Sequence, residues 1–286
     1  MPITINTNIP SLTAQRNLNN TTSALVKSYE RLSSGLRITR ASDDAAGLAI
    51  ADTLRADQRI ASVAIRNAND GISAISIADG ALNEIGSVLA RMAELAEQSA
   101  NGVLNPTQRS AIGSEFAALG SEVQRIADTS EFNGLKLLSG GGQISLQIGF
   151  NSQSTAQVSF SGVQGTLNSL GLAIGDNILM YSLNDTSTIG GQVAARTALD
   201  AVKGAIGSLT ANRGTLGAVE SRLNVAVNNL QVARENYAAA ESQIRDVDVA
   251  SEAAKLTRNS ILQQAGSAVL AQANQQPALA LSLIGG

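Results

Sequence analysis

Residues 61–96 read ASVAIRNANDGISAISIADGALNEIGSVLARMAELA, with apolar residues at helical spacing throughout. Ala61, Ile65, Ala68, Ile72, Ile75, Asp79, Leu82, Gly86, Leu89, Ala93 and Ala96 recur at alternating spacings of four and three. That rhythm is the seam of a long helix facing other helices, sustained for about five heptads. Asp79 and Gly86 interrupt it. The spacing predicts that the helix ends near Asn101-Gly102 and that Asn105-Pro106 opens the next, with proline at the first helical position. Ile112, Phe116, Leu119, Val123 and Ile126 give that third helix one apolar face.

Working outward, Leu18, Thr22, Leu25, Tyr29 and Leu32 form a similar seam, predicting a helix from near Ser11 to Ser33-Ser34-Gly35. Asp43 and Asp44 follow at a predicted helix N-cap. After Phe132-Asn133-Gly134 the period changes to two. Ile144, Leu146, Ile148 and Phe150 alternate with polar residues, then Val158 and Phe160, as in a hairpin or small meander. Residues 161–191 read as glycine-rich and irregular. The helical rhythm returns at Leu199 and passes through Val202, Ile206, Leu209, Arg213, Leu216, Glu220, Leu223, Val227, Leu230, Arg234 and Tyr237. A last helical stretch is expected over roughly 244–274, before Pro277. The expected fold is mainly α: a long antiparallel coiled coil or bundle built from both chain ends, with a small β region in the middle.

The composition agrees. Of 286 residues 45 are alanine, aromatics make up 2%, and only 15% are charged. Thin, closely approaching helices suit such a chain better than an enzyme core filled with rings. There is no cysteine, histidine or tryptophan. Disulfides, thiol nucleophiles, histidine bases and the commonest metal ligands are therefore excluded. A net charge of −3 indicates neither a nucleic-acid nor an acidic-lipid partner. No apolar run is long enough to cross a membrane. The opening Met1-Pro2-Ile3-Thr4-Ile5-Asn6 lacks the basic and apolar regions of a cleaved signal peptide, so none is expected.

Both ends are nearly uncharged. Arg16 is the only charge in residues 1–26, and none follows Arg258. Two thin helices cannot bury enough apolar surface within one chain to offset the entropy of ordering them. The ends are therefore expected to order only when many copies pack together. Leu18, Leu25, Leu32, Ile261, Leu262 and Leu270 are the expected packing seams.

Several segments then carry a resemblance. They are Ile5–Asn8, Arg31–Ile38, Ala41–Ile50, Glu94–Asn101, Glu131–Gly134, Ile244–Asp248, Ile261–Gly266 and Leu270–Gln275. In this order the chain resembles the bacterial flagellins, over about 1–172 and 190–286. The resemblance implies an inner coiled-coil core from 1–42 and 242–286. It implies a helical outer domain from 43–172 and 193–241, with 173–192 a short variable loop too small for large outer domains. It implies a homopolymeric filament for swimming, thin and smooth, outside the cell and reached through the flagellar type III export route. Implied partners are other copies, the flagellar cap, hook-associated junction proteins and an export chaperone. No cofactor, metal, catalytic role, nucleic-acid partner or membrane insertion is implied. Seam faults such as Asp79, Gly86, Arg213 and Glu220 would permit alternative registers, or else be exposed or paired positions.

The family's vertebrate Toll-like receptor contact carries over to Arg91, Leu95 and Glu115, where the spacing of Arg91 and Leu95 predicts a shared helix face. The other readings are a hook–filament junction protein, or an effector or adhesin using the same export route. Gly140-Gly141-Gly142 is expected to be a turn, since it lacks the Lys-Ser/Thr of a phosphate loop. Asp43, Asp44, Asp246 and Asp248 are expected to cap helices or make inter-subunit contacts rather than bind metal. Ser152, Ser154, Thr155 and Ser161 are candidates for surface O-glycosylation.

Overall fold

The computed structural model describes residues 7–140, 142–151, 153–161, 163–174, 178–183 and 188–284, with side chains described as far as residue 276 except at 161, 174, 178, 188 and 189. Gly141 and Ser152 lie outside them, as does the start of the Ile5–Asn8 motif. The elements are α1 (Ile9–Ser34), α2 (Ala45–Ser99), α3 (Pro106–Thr129), β1 (Glu131–Phe132), β2 (Leu135–Lys136), β3 (Gln143–Gln147), β4 (Gln157–Ser161), β5 (Ala173–Ile174), β6 (Ile178–Leu179), α4 (Thr188–Arg245) and α5 (Val249–Ile284). They form two compact units, Met1–Gln58 with Glu235–Gly286, and Arg59–Arg234. The division falls inside α2 and α4. The reason is local: the first turns of α2 and the last of α4 pair with each other, as in Gln58 to Glu241 at 2.9 Å.

In the first unit α1 begins under an Asn8 cap, whose side chain accepts from the Ser11 N–H at 3.1 Å. It ends at Gly35, which adopts the left-handed φ of 72° that closes a helix. α1 and α5 run antiparallel. Ser11 meets Asn274, Thr22 meets Gln263 and Ser28 meets Glu252, so rising numbers on one helix face falling numbers on the other. Asn8 also donates to the Ala273 carbonyl at 2.7 Å. The predicted seam through Leu18, Leu25 and Leu32 faces inward. Tyr29 does not: it is exposed, and Ser28 takes its place. The buried carboxylate of Glu252 opposite requires a small hydrogen-bond donor there, not a ring.

The segment after α1 is held on both sides. Arg37 N–H donates to the Arg245 carbonyl at 2.6 Å, and Val247 N–H to that of Gly35 at 3.0 Å. The Arg37 guanidinium caps the Ile244 carbonyl at the end of α4. Asp44 caps α2 by accepting from Gly47 N–H at 2.8 Å. Asp43 instead binds Lys27 at 2.6 Å and the Thr39 and Arg40 amides.

The second unit is a bundle of α2, α3 and α4 around Leu82, Ile85, Leu89, Met92, Leu95, Phe116, Val123, Leu216 and Leu223. The predicted α2 seam is buried or half-buried along its length. A neighbouring stripe, Ala64, Gly71, Ala74, Ala78, Ile85, Met92 and Leu95, is buried too. A helix packed on two sides needs this wider apolar face. Asn105 and Gln108 form a reciprocal capping box at the start of α3.

β3 and β4 pair antiparallel with Ile144 opposite Phe160 and Leu146 opposite Val158. This hairpin rests on α2. A Cβ on Gly71 would collide with Leu146 Cδ1, and Asn67 donates to the Gln147 carbonyl at 2.9 Å. The predicted alternation stops short of Phe150, which is exposed. Ile148 and Gly149 N–H both donate to the Ala156 carbonyl, a bulge that breaks the period.

Two helix limits also differ from expectation. α4 begins at Thr188, ahead of Leu199, with Ala195 and Ala198 buried; alanine carries little periodic signal but fills a close helix contact. α5 runs through Pro277 to Ile284, because Ala278–Ile284 consists mainly of strong helix formers.

Candidate functional site

The first unit buries polar groups beside Leu25 and leaves several large apolar side chains outside. Ser28 Oγ donates to Glu252 Oε1 at 2.7 Å in a buried contact. Lys255 lies 3.1 Å and Arg31 3.9 Å from the other carboxylate oxygen. Burial pushes the Glu252 carboxyl up, but the Ser28 hydrogen bond and Lys255 outweigh it, leaving its pKa below the ordinary value. Lys27, with help from Thr39 and Arg40, holds Asp43 well below the carboxylate range. Meanwhile Ile9, Leu12, Val26 and Tyr29 on α1, and Val249, Ile261, Leu262 and Val269 on α5, face solvent. Ile261 is 60% and Leu262 50% exposed. The expected seam residues therefore divide. Leu18, Leu25, Leu32 and Leu270 sit against the partner helix or half-buried beside it, whereas Ile261 and Leu262 point outward. Apolar faces of this kind mark surfaces awaiting another protein.

In the second unit Arg91 donates to Glu115 at 2.9 and 3.1 Å and to Glu94 at 3.0 Å. These bonds, that to Glu94 first, raise the guanidinium's pKa. Leu95 does not share this exposed face. It is 1% exposed, in the core with Leu89 and Met92. Positions four apart on a helix differ by about 40° in direction, enough to put one at the rim and the other underneath.

The seam faults find each other. Arg213 Nε and Nη2 lie 2.7 and 3.2 Å from the two Asp79 oxygens, and Nη1 lies 3.2 Å from Asn83. Gly86 gives room to Leu209, whose Cδ2 would be 3.1 Å from an added Cβ.

The sequence reading missed Arg109. Its guanidinium is buried and donates to the carbonyls of Ser99 at 2.9 Å, Asn101 at 3.1 Å and Leu104 at 3.4 Å. It thus closes the C-terminus of α2 and the loop to α3. A signal was present: a cation in the first turn of a helix opposes the dipole there and needs another reason to stand in that place.

Among the described residues no group of three or more carboxylates is arranged to hold a metal ion. Asp44 and Asp248 accept from helix N-terminal amides, and Asp246 accepts from Ser242 at 2.6 Å. No described helix is long and apolar enough to cross a membrane.

Comparison with known proteins gives this arrangement a family. Residues 5–143 match the bacterial flagellin N-terminal helical region and residues 199–284 the bacterial flagellin C-terminal helical region. The flagellin of Halalkalibacterium halodurans is 43% identical over 281 residues, covering 98% of this chain and 99% of its own. The chain belongs to the bacterial flagellins. The flagellin of Bacillus subtilis is 41% identical over 301 residues, with 98% of this chain and 99% of that one covered. A putative flagellar hook-associated protein from Vibrio parahaemolyticus shares the fold at 13% identity, with a TM-score of 0.58 over 71% of this flagellin and 100% of the other chain. As a flagellin the chain is a structural subunit of the flagellar filament, the self-assembled extracellular polymer used for swimming.

Proposed function

We propose that assembly runs through the α1–α5 unit and that this flagellin builds a thin, smooth filament with no large outer domain. The observation that carries the reading is the outward placement of Ile9, Leu12, Val26, Ile261, Leu262 and Val269 around a seam that encloses the Ser28–Glu252 hydrogen bond. An isolated hairpin built this way leaves much of its apolar surface wet, so neighbouring copies stabilise it. In this reading 1–42 and 242–286 form the filament core, and 43–172 with 193–241 the outer layer. Some relatives are longer than this chain. The alignment to the polar flagellin A of Vibrio parahaemolyticus runs to 376 columns against 286 residues here.

The same reading gives the subunit no catalytic step. It leaves the cell by the flagellar type III export route with an export chaperone, and meets the flagellar cap and hook-associated junction proteins at the filament ends. Recognition by the vertebrate Toll-like receptor for flagellin would engage exposed Arg91 and Glu115, with Leu95 supporting them from below.

Seeded polymerisation followed by electron microscopy tests the assembly surface. Ile261→Asp with Leu262→Asp should abolish elongation while leaving the Arg59–Arg234 unit folded. Elongation at the unsubstituted rate would refute the reading. For the receptor, Arg91→Ala should weaken signalling by monomer; unchanged signalling would remove that contact.

A further inference from the structure

The chain contains two Asn-Gly pairs, Asn101-Gly102 and Asn133-Gly134. Glycine after asparagine leaves the peptide nitrogen sterically open to attack the side-chain carboxamide. The two pairs stand in different surroundings. Asn133, with φ 51°, and Gly134, with φ 77°, form the two-residue turn between β1 and β2. Among the described residues no side chain donates to Asn133. Asn101 and Gly102 are exposed in the loop after α2, and two donors act on them. The Val103 N–H donates to Asn101 Oδ1 at 3.2 Å, folding the carboxamide back over the 101–102 peptide and polarising its carbon. Arg109 Nη2 lies 3.1 Å from the Asn101 backbone oxygen.

We propose that Asn101 is a site of spontaneous deamidation, activated by this loop. The Gly102 N–H loses its proton to solvent base, and the resulting negative charge is shared with the Asn101 backbone oxygen. The buried Arg109 guanidinium is already hydrogen-bonded to that oxygen, so the anion forms more easily. The Gly102 nitrogen attacks Asn101 Cγ. The tetrahedral oxygen is held by Val103 N–H, and the side-chain nitrogen leaves as ammonia with a proton from water. One water then opens the succinimide, giving aspartate or isoaspartate at position 101. Overall, asparagine and water become an acid and ammonia, with no oxidant or cofactor. The product adds a negative charge beside Arg109. The isoaspartyl form also lengthens the main chain by one carbon, in a loop whose carbonyls at 99, 101 and 104 share one guanidinium.

The test uses the purified full chain at mildly alkaline pH, folded and in concentrated urea. Trypsin releases Asn101 in peptide 92–109 and Asn133 in peptide 126–136, and mass spectrometry with isoaspartyl detection follows both. In urea the two sites should convert at similar rates. In the folded protein the Asn101-to-Asn133 rate ratio should rise about tenfold, the value of one charge-assisted hydrogen bond strengthened on forming the anion. Arg109→Lys should bring the folded ratio back toward the urea value without changing Asn133. A folded ratio equal to or below the urea ratio overturns the proposal, even if the variant fails to fold. A folded Arg109→Lys protein with an unchanged ratio removes the guanidinium from it.

Discussion

Replacing Arg109 by methionine tests how the second unit closes the end of α2. The guanidinium is 1% exposed, and its bonds to Ser99 and Asn101 are short while that to Leu104 is long at 3.4 Å. Two competing effects must be weighed. Methionine has a similar length and no charge to desolvate, which favours the variant. The carbonyls remain, however, and at the end of a helix they lose their donor; each orphan costs about 1–3 kcal/mol. With the Ser99 and Asn101 carbonyls both orphaned the cost is about 3–5 kcal/mol, so the loss dominates. For a unit of this size about 1 kcal/mol moves the midpoint by 2–4 °C, so Arg109→Met should lower it by roughly 6–20 °C. Arg109→Lys keeps the charge but cannot reach three acceptors at once, and should lose about half as much. Thermal unfolding of the monomer by circular dichroism measures the shift. Hydrogen exchange should show the extra opening first in residues 97–105. A midpoint within about 2 °C of the unsubstituted protein would refute the view that this cation holds the loop.

Gly149→Ala should destabilise the β3–β4 hairpin by about 1–3 kcal/mol, because the new Cβ would sit 2.7 Å from Ala156 Cα, a backbone atom that cannot swing away. Differential scanning calorimetry of monomer measures it. The first unit should weaken as pH falls: Asp43 and Glu252 both lie below their ordinary pKa values, so their stabilisation is present above about pH 4 and is lost as acid protonates them. Hydrogen exchange in α1 and α5 against pH should show this, and Glu252→Gln should flatten it. Asp79→Asn should cost no more than about 1 kcal/mol and less at high salt, since the pair with Arg213 is half-exposed. A denaturant titration at two ionic strengths checks both.

The long helices were legible in the sequence because each carries a seam that repeats at helical spacing. Asp79 and Arg213 were legible as faults in two such seams, but not as partners. Their contact joins positions 134 residues apart, and only the docking of α4 on α2 brings them together. Leu95 shows the opposite difficulty. Its spacing from Arg91 is right for a shared face, yet the wide buried stripe of α2 takes it into the core. Arg109 left only a contrary sign, a cation where the helix dipole disfavours one.

The chain by itself determined that this is a helical, cysteine-free and histidine-free subunit with nearly uncharged ends, because periodicity, composition and family motifs are properties of the linear order. Which faces those helices turn inward was decided by tertiary structure. In α1 and α5 Ser28, Glu252, Thr22 and Gln263 share the seam with Leu18, Leu25 and Leu32, while Ile261 and Leu262 remain outside. Hydrophobicity alone would have assigned them the other way. A two-helix hairpin has one buried seam and several open faces. Here buried hydrogen bonds and leucines share the seam, and the open faces carry Ile261 and Leu262.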